Sequence, residues 1–316
     1  MIWYYAALGP SPSLHFPGPR PPRSGADVPM SHFAIAGLQL ELSQQDNLHL
    51  VRSELERLKQ RFPWVDMAVL GELCLFGTNK ANAQPLPGRV EEELSQIARD
   101  LQLWLIPGSI YERDGERIFN TTPVINPRGE VIARYRKMFP FLPYETGVTP
   151  GAEFVVFDVP EVGRFGVSIC YDMWFPETTR TLAWMGAEVI LHPTMTNTID
   201  RDLELSIART NAAVNQCYFF DINCAGRLGY GRSVIVGPDG TVLHQAGVGH
   251  ELMPLEIDLE TVRRSRRRGL LGLGQVLKSF RDTAVQFSPY LDGPGNSEYL
   301  QQLGPMGVPG RAHGDE

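Results

Sequence analysis

Four residues of this sequence have the types from which a fold could assemble a nucleophile, a base and a cation: Cys170, Glu72, Lys137 and Glu145. Cys170 closes a short apolar stretch, RFGVSIC over Arg164–Cys170, and Tyr171-Asp172-Met173-Trp174-Phe175 lead from it to Pro176. Proline fits the first position of a helix, where its missing N–H would be unpaired anyway, and Glu177 suits the positive end of the helix dipole. The pattern predicts a helix over 177–185, closed by Gly186, and then a strand over 188–192. A cysteine on a sharp turn between a strand and a helix stands where α/β folds present reactive groups. By itself, however, Cys170 reads as a buried core thiol. A free thiol of pKa about 8.5 is mostly protonated at neutral pH, so a base is needed to activate it.

The candidate partners are equally ambiguous one at a time. Glu72 ends the apolar run Met67-Ala68-Val69-Leu70-Gly71. A carboxylate there is costly to bury without a partner, and alone it reads as a loop residue facing water. Lys137 enters the apolar, proline-rich loop Met138–Pro143, and alone it reads as an exposed lysine at a strand end. Glu145 follows in Pro143-Tyr144-Glu145. Cys74 lies two residues beyond Glu72 and on an extended chain would share its face, which makes it a rival nucleophile without the strand–turn–helix setting. His192, at the end of the strand after the helix, offers a base for a Cys–His thiol hydrolase.

The elements that must position these residues alternate between strand-like and helix-like patterns. Ala34–Leu40 reads as a strand, Gln45–Arg61 as an amphipathic helix and Met67–Leu70 as a short buried strand running into Gly71-Glu72. Val90–Leu101 reads as a helix leading to a strand over Trp104–Tyr111. Two hairpin-like pieces share one formula, Pro127–Ile132 (PRGEVI) and Pro238–Leu243 (PDGTVL). Ile97-Ala98-Arg99 also recurs as Ile207-Ala208-Arg209. Both echoes fall at an offset of about 110 positions, the mark of an internal duplication. The predicted fold is α/β, a four-layer αββα sandwich with internal pseudo-two-fold symmetry; a single doubly wound sheet is the alternative.

Composition sets the outer bounds. The chain has 316 residues, 43% of them hydrophobic, and a formal net charge of −7. That length can bury one large core or two smaller ones. The mild acidity leaves no basic footprint for nucleic acid or a membrane surface. Arg263–Arg268 reads as a solvated, basic helix end. No apolar run reaches the roughly 18 residues of a membrane span. The four cysteines, each near apolar residues and none in a C-x-x-C pair, suit reduced buried thiols and a cytoplasmic protein. Neither H-x-x-x-H nor a cysteine pair offers a metal site, so no metal or cofactor is expected and activity should survive chelators. Residues 1–29 are rich in Pro, Gly, Ser and Arg beyond a short apolar start, and are expected to form a disordered leader ahead of Met30. A single large folded domain over 30–292 and a flexible, Gly/Pro-rich tail over 293–316 complete the expected organisation.

The pieces LGELCLFG, RYRKMFPF and GVSICYDMWFPE resemble the Glu, Lys and Cys motifs of the nitrilase (carbon–nitrogen hydrolase) superfamily, in that family's order. The resemblance runs over about residues 32–285 and takes in ARTNAAVNQ and RRRGLLGLGQ. It implies the αββα sandwich, in agreement with the echoes above. It further implies that Glu72 is the general base, that Lys137 and the Tyr171 N–H hold the oxyanion, and that Glu145 positions the substrate amide. The motif departs from the family in one place, reading Gly71-Glu72 where Pro-Glu is more usual, which puts the local turn in question. Cys170-Tyr171-Asp172 looks like the amidase and carbamoylase branches; true nitrilases typically carry Trp-Glu after the nucleophile. The implied reaction is hydrolysis of a small carboxamide or N-carbamoyl compound through a Cys thioester, releasing ammonia. Phe141, Tyr144, Tyr171 and Trp174 are expected to line the substrate pocket, and a homo-oligomer, a dimer or larger, is expected. Nitrile hydrolysis and a catalytically silent, binding member of the fold are the alternatives.

Overall fold

The computed structural model of the chain describes residues 32–307, positions 292 and 305 apart. The expected leader over residues 1–29 lies outside the described residues. The first half contributes β1 (His32–Gln39), β2 (Glu41–Leu42), α1 (Leu48–Arg61), β3 (Met67–Leu70), α2 (Arg89–Leu101), β4 (Trp104–Ile106), β5 (Ile110–Asp114), β6 (Arg117–Ile125) and β7 (Val131–Arg136). The second contributes β8 (Val155–Val159), β9 (Gly163–Val167), α3 (Pro176–Trp184), β10 (Val189–Thr194), α4 (Arg201–Asn215), β11 (Tyr218–Asn223), β12 (Ala225–Gly226), β13 (Val234–Val236), β14 (Val242–Gln245) and β15 (Glu251–Asp258). Four further helices follow: α5 (Leu259–Arg268), α6 (Val276–Asp282), α7 (Ser288–Leu291) and α8 (Glu298–Gln301).

Two large sheets result, and their strands are joined by the same succession of pairings. In one, β15–β1 is antiparallel, β1–β3 and β3–β4 are parallel, and β4–β6 and β6–β7 are antiparallel. In the other, β8–β9 is antiparallel, β9–β10 and β10–β11 are parallel, and β11–β13 and β13–β14 are antiparallel. The alternation of side chains along each strand sorts the core into layers. Ile35, Met67 and Val69 of the first sheet join Val189, Leu191 and Ile222 of the second in one apolar cluster. Their neighbours Ala36, Leu38, Ala68 and Leu70 pack with Val51 and Leu55 of α1 and Leu94 and Ile97 of α2. On the far side, Ile190 and Phe219 meet Leu182 of α3 and Leu205 and Ala208 of α4. Each fully buried Val, Leu, Ile, Phe or Met among them contributes on the order of 1.5–3 kcal/mol. Helices, sheet, sheet and helices thus pack in that order.

The two sequence echoes meet in space. Arg99 of α2 donates from Nε to the carbonyl of Arg128 in the turn between β6 and β7, at 3.1 Å. Arg209 of α4 donates from Nε to the carbonyl of Gly240 in the turn between β13 and β14, at 3.2 Å. Each half therefore uses its Ile-Ala-Arg arginine to tie a helix to its own hairpin turn.

Three expected boundaries move, each for a local reason. The first helix starts at Leu48 and not near Gln45, because Ser43 and Asn47 hold a turn closed by their side chains. The strand expected over Trp104–Tyr111 breaks into β4 and β5 at Gly108, which sits at φ +77°. A side chain there would lie 1.9 Å from the Gly71 carbonyl, so only glycine fits. The strand before the nucleophile ends at Val167, and Cys170 opens a 3₁₀ turn, Cys170–Trp174.

Candidate active site

All three motif residues emerge from the ends of strands. Glu72 follows β3, Lys137 follows β7, and Cys170 lies just past β9, so strand ends from both sheets open onto one cleft. Gly71 permits this convergence: a β-carbon there would come within 2.6 Å of Cys224 Sγ and 3.0 Å of the Thr194 carbonyl. The Gly-Glu departure from the usual Pro-Glu therefore marks a close crossing of β3, β10 and the segment after β11.

At the centre Lys137, 1% exposed, bridges two carboxylates. Its Nζ donates to Glu72 Oε1 at 2.8 Å and to Glu145 Oε2 at 2.7 Å. A lysine ammonium has three donors, so one remains for a third acceptor. Asn120 of β6 braces the same pair, donating from Nδ2 to Glu72 Oε1 at 2.8 Å and to Glu145 Oε1 at 3.2 Å. Glu145 also accepts from the Phe141 N–H at 2.6 Å and from the Tyr111 hydroxyl at 3.3 Å. Glu72, Lys137, Glu145 and Cys170 line one cavity of about 300 Å³. Cys170, Phe141 and Tyr144 also line a second, neighbouring cavity of about 480 Å³, to which Tyr171 and Trp174 belong.

Burial sets the protonation of the group. It pushes Glu72 above the ordinary carboxylate range, against the pull of Lys137 and with the help of Glu145. Glu145 is buried too, but Lys137, the Phe141 N–H and Asn120 bring it below its ordinary value. Desolvation works against the Lys137 ammonium, yet the carboxylates of Glu72 and Glu145 outweigh it and hold the lysine charged. Burial, and then Glu72, push the Cys170 thiol well up, so the resting sulfur keeps its proton. The arrangement can therefore deliver a base of raised pKa, a charged donor and a neutral thiol to one enclosed space.

Asp172 holds the turn that carries the nucleophile. Its Oδ2 accepts from the Ile169 N–H at 2.9 Å and the Tyr135 hydroxyl at 2.6 Å, and its Oδ1 from the Phe139 N–H at 2.9 Å. It thereby fastens the cysteine turn to β7 and to the loop after Lys137. Cys170 itself sits at φ +45°, a left-handed conformation costly for a side-chain-bearing residue and typical of functional turns. Tyr171 lies in the first turn of the 3₁₀ segment, where the helix offers its N–H no acceptor.

The rivals fare differently. Residues after Glu72 form turns and not an extended chain, so Cys74 does not share its face. Cys74 Sγ donates to the Pro107 carbonyl at 3.1 Å within the helix-side core, and burial pushes its thiol up to about 12. His192 Nδ1 pairs with Ser168 Oγ at 2.7 Å and its ring lies against Phe219. Burial brings it down to about 4, and it lines neither cavity beside Cys170. A Cys–His pair is therefore not assembled. All four cysteines are free and buried.

Sequence reasoning missed Asn120, Tyr111 and Asp172, and a second buried group on the other side of Cys170. Asn120 had a signal, a polar residue inside the strand RIFNTTPVI. In the second group Thr196 Oγ1 lies 3.9 Å from Cys170 Sγ and donates to Glu204 Oε1 at 3.0 Å. Arg201 then forms ion pairs from one nitrogen, with Glu204 at 3.0 Å and with Asp221 at 2.9 Å.

A family model described as carbon–nitrogen hydrolase matches residues 33–267. The chain belongs to the carbon–nitrogen hydrolase family. Mouse ω-amidase NIT2 is 31% identical over 266 residues, covering 76% of this chain and 93% of that protein. The crystal structure of Saccharomyces cerevisiae Nit3, a member of branch 10 of the nitrilase superfamily, superposes with a TM-score of 0.70 at 29% identity. It covers 77% of this chain and 96% of its own. An amidase from Nesterenkonia sp. gives a TM-score of 0.67 at 26% identity over 78% of this chain and 97% of that one. Within the carbon–nitrogen hydrolases, the chain is a thiol-dependent hydrolase of the amidase kind. No helix among the described residues is long and apolar enough to cross a membrane.

Proposed function

We propose that the protein hydrolyses a small carboxamide or N-carbamoyl compound with Cys170 as nucleophile, Glu72 as proton carrier and Lys137 as oxyanion donor. One observation carries the reading: Lys137 Nζ bridges Glu72 and Glu145 at 2.8 and 2.7 Å in the cavity that Cys170 lines. As sulfur attacks the amide carbon, the thiol proton passes to Glu72. Negative charge then develops on the carbonyl oxygen, where the third Lys137 proton and the Tyr171 N–H can meet it. The C–N bond breaks as Glu72 returns the proton to the leaving nitrogen, which departs as ammonia. A water, deprotonated by Glu72, cleaves the thioester, and the proton goes back to Cys170. Glu145 holds the lysine and orients the substrate amide; Phe141, Tyr144, Tyr171 and Trp174 shape the pocket.

A screen for ammonia release over aliphatic amides, ω-amides, N-carbamoyl amines and nitriles tests this, with Cys170→Ala as control. Turnover of an amide or carbamoyl compound, and an acyl-enzyme mass on Cys170 after quenching, is the expected result. Ammonia from nitriles alone would overturn the branch, and activity in Cys170→Ala would overturn the nucleophile. We assign the hydrolase domain to residues 30–292 and place the protein in the cytoplasm, a setting that suits four free buried thiols. Exposed apolar side chains at Trp184, Leu271 and Leu273 favour a homo-oligomer, which light scattering in solution would measure.

A further inference from the structure

Two cavities meet at Cys170, and the reaction itself occupies the smaller one, where Glu72, Lys137 and Glu145 stand. The remainder of a substrate longer than a few atoms extends into the larger, since both share Cys170, Phe141, Tyr144 and Met195. We infer that this remainder ends in a protonated amine, not a carboxylate, and that it is received between the Tyr171–Trp174 wall and Glu204.

The inference rests on the proposed amide hydrolysis and on what lines the larger cavity. Its acidic side chains are Asp200 and Glu204, and no lysine or arginine is among its described lining residues. Arg201 lies behind Glu204 but is 1% exposed. One guanidinium nitrogen is held by Glu204 and Asp221 and another by the Arg232 carbonyl. One cation against two buried carboxylates leaves the group negative when both are ionised. A carboxylate entering here would lose water beside Glu204 and find no cation, a penalty that rejects it. An ammonium finds the unshared lone pairs of Glu204, whose oxygens each have one donor, from Thr196 and from Arg201. It also finds aromatic faces: Tyr171 and Trp174 have ring centroids 6.0 Å apart, and Phe141 lies 4.9 Å from Tyr171. Aromatic faces with a carboxylate form the usual receptor for an ammonium group. The smaller cavity does hold a second lysine, Lys80, which donates to the Thr146 carbonyl; it is the one place where a substrate carboxylate could find a lining cation apart from Lys137.

The test compares, at a pH above the value of about 7 to which burial pushes Glu204, ammonia release from three amides of one chain length: pentanamide, 5-aminopentanamide and the monoamide of glutaric acid. The expected kcat/KM for the amino compound exceeds that for the carboxylate by about tenfold or more, and Glu204→Gln shrinks that ratio by about tenfold. Equal rates or a preference for the carboxylate overturn the inference, as does an amine preference that Glu204→Gln leaves intact. A carboxylate preference abolished by Lys80→Met would place the remainder in the smaller cavity instead. Should Glu204→Gln fail to fold, Asp200→Asn and competitive inhibition of the native enzyme by pentylamine against pentanoate read the same preference. Calorimetry on Cys170→Ala separates the two readings. Tighter binding of the amino amide there, without turnover by the native protein, would defeat the hydrolase reading and keep the inference. Weaker binding than the carboxylate amide would defeat the inference alone.

Discussion

Two buried groups flank Cys170, each a single cation set between two carboxylates, and they are oriented oppositely. In Glu72–Lys137–Glu145 the cation belongs to the cavity wall, and the carboxylates hold it there from both sides. In Glu204–Arg201–Asp221 the cation is turned into the fold, and the carboxylate of Glu204 forms the wall. Residue type suits each task. Lysine is a compact charge with three rotatable donors, so two can be spent on anchoring and one on a substrate. Arginine's planar fork fixes several acceptors at once, here two carboxylates and a backbone carbonyl. The same charge count thus yields a donor to the reaction on one side and a rigid acidic wall on the other.

The largest way to break this contrast is to remove each cation. Lys137→Ala should lower kcat by about 10³-fold or more, because the oxyanion donor and the anchor of Glu72 go together. Arg201→Met should act chiefly on stability, by about 3–5 kcal/mol, since it strands buried carboxylates away from water. Steady-state ammonia release and thermal unfolding on the same samples separate the two effects. A folded, fully active Lys137→Ala protein would end the catalytic reading of the first group.

The groups should also titrate apart. Glu72 acts as base only when ionised, and its pKa is raised, so kcat/KM should fall with acid above the pH at which an ordinary glutamate would lose its charge. Glu204 affects folding instead. Burial, and then Asp221, push its folded pKa from 4.5 to about 7. The folded state therefore binds this proton more tightly than the unfolded chain. Its contribution to stability is complete below about pH 4.5 and is lost as pH rises through about 7, in total on the order of 3 kcal/mol. Glu204→Gln should accordingly flatten stability between those limits, as denaturant melts at stepped pH would record. If the stability difference between native and variant did not change with pH, Glu204 would be ionised throughout and the wall permanently charged.

The two groups differ as much in how legible they were. Glu72, Lys137 and Cys170 stand at or just past strand ends next to unusual neighbours, with Glu145 in the loop beyond Lys137, and their spacing matches a known set of motifs. Their convergence could be read only from that match of motifs, since the strands that carry them belong to two different sheets. Glu204 and Arg201 lie three residues apart on α4, where an acidic and a basic residue at that spacing ordinarily mark a solvated helix face. Only tertiary packing turns that face inward onto Asp221 of β11. Asp172 was hidden for a related reason: its three hydrogen bonds are to groups distant in sequence or to its own turn. The alternation of strands and helices was visible in the patterning, whereas the breaks at Ser43–Asn47 and Gly108 depended on side-chain turns and on a close backbone crossing that hydrophobic periodicity does not report.

The finest separation of the two groups falls on Thr196, which stands between Cys170 and Glu204. Its hydroxyl donates to Glu204 Oε1 at 3.0 Å, and its oxygen lies 3.9 Å from the sulfur. Were the second group a proton carrier, this hydroxyl would be its only path to the thiol among the described hydrogen bonds, and losing it would cost as much as losing a base. Thr196→Val keeps the shape and removes the hydroxyl, so the acidic-wall reading predicts the loss of one hydrogen bond, about 1 kcal/mol or roughly fivefold in kcat/KM. The acid limb of the pH–rate profile should stay where Glu72 sets it. A fall of 10²-fold or more, or an acid limb that moves, would join the two groups into one proton network and dissolve the division of labour between them.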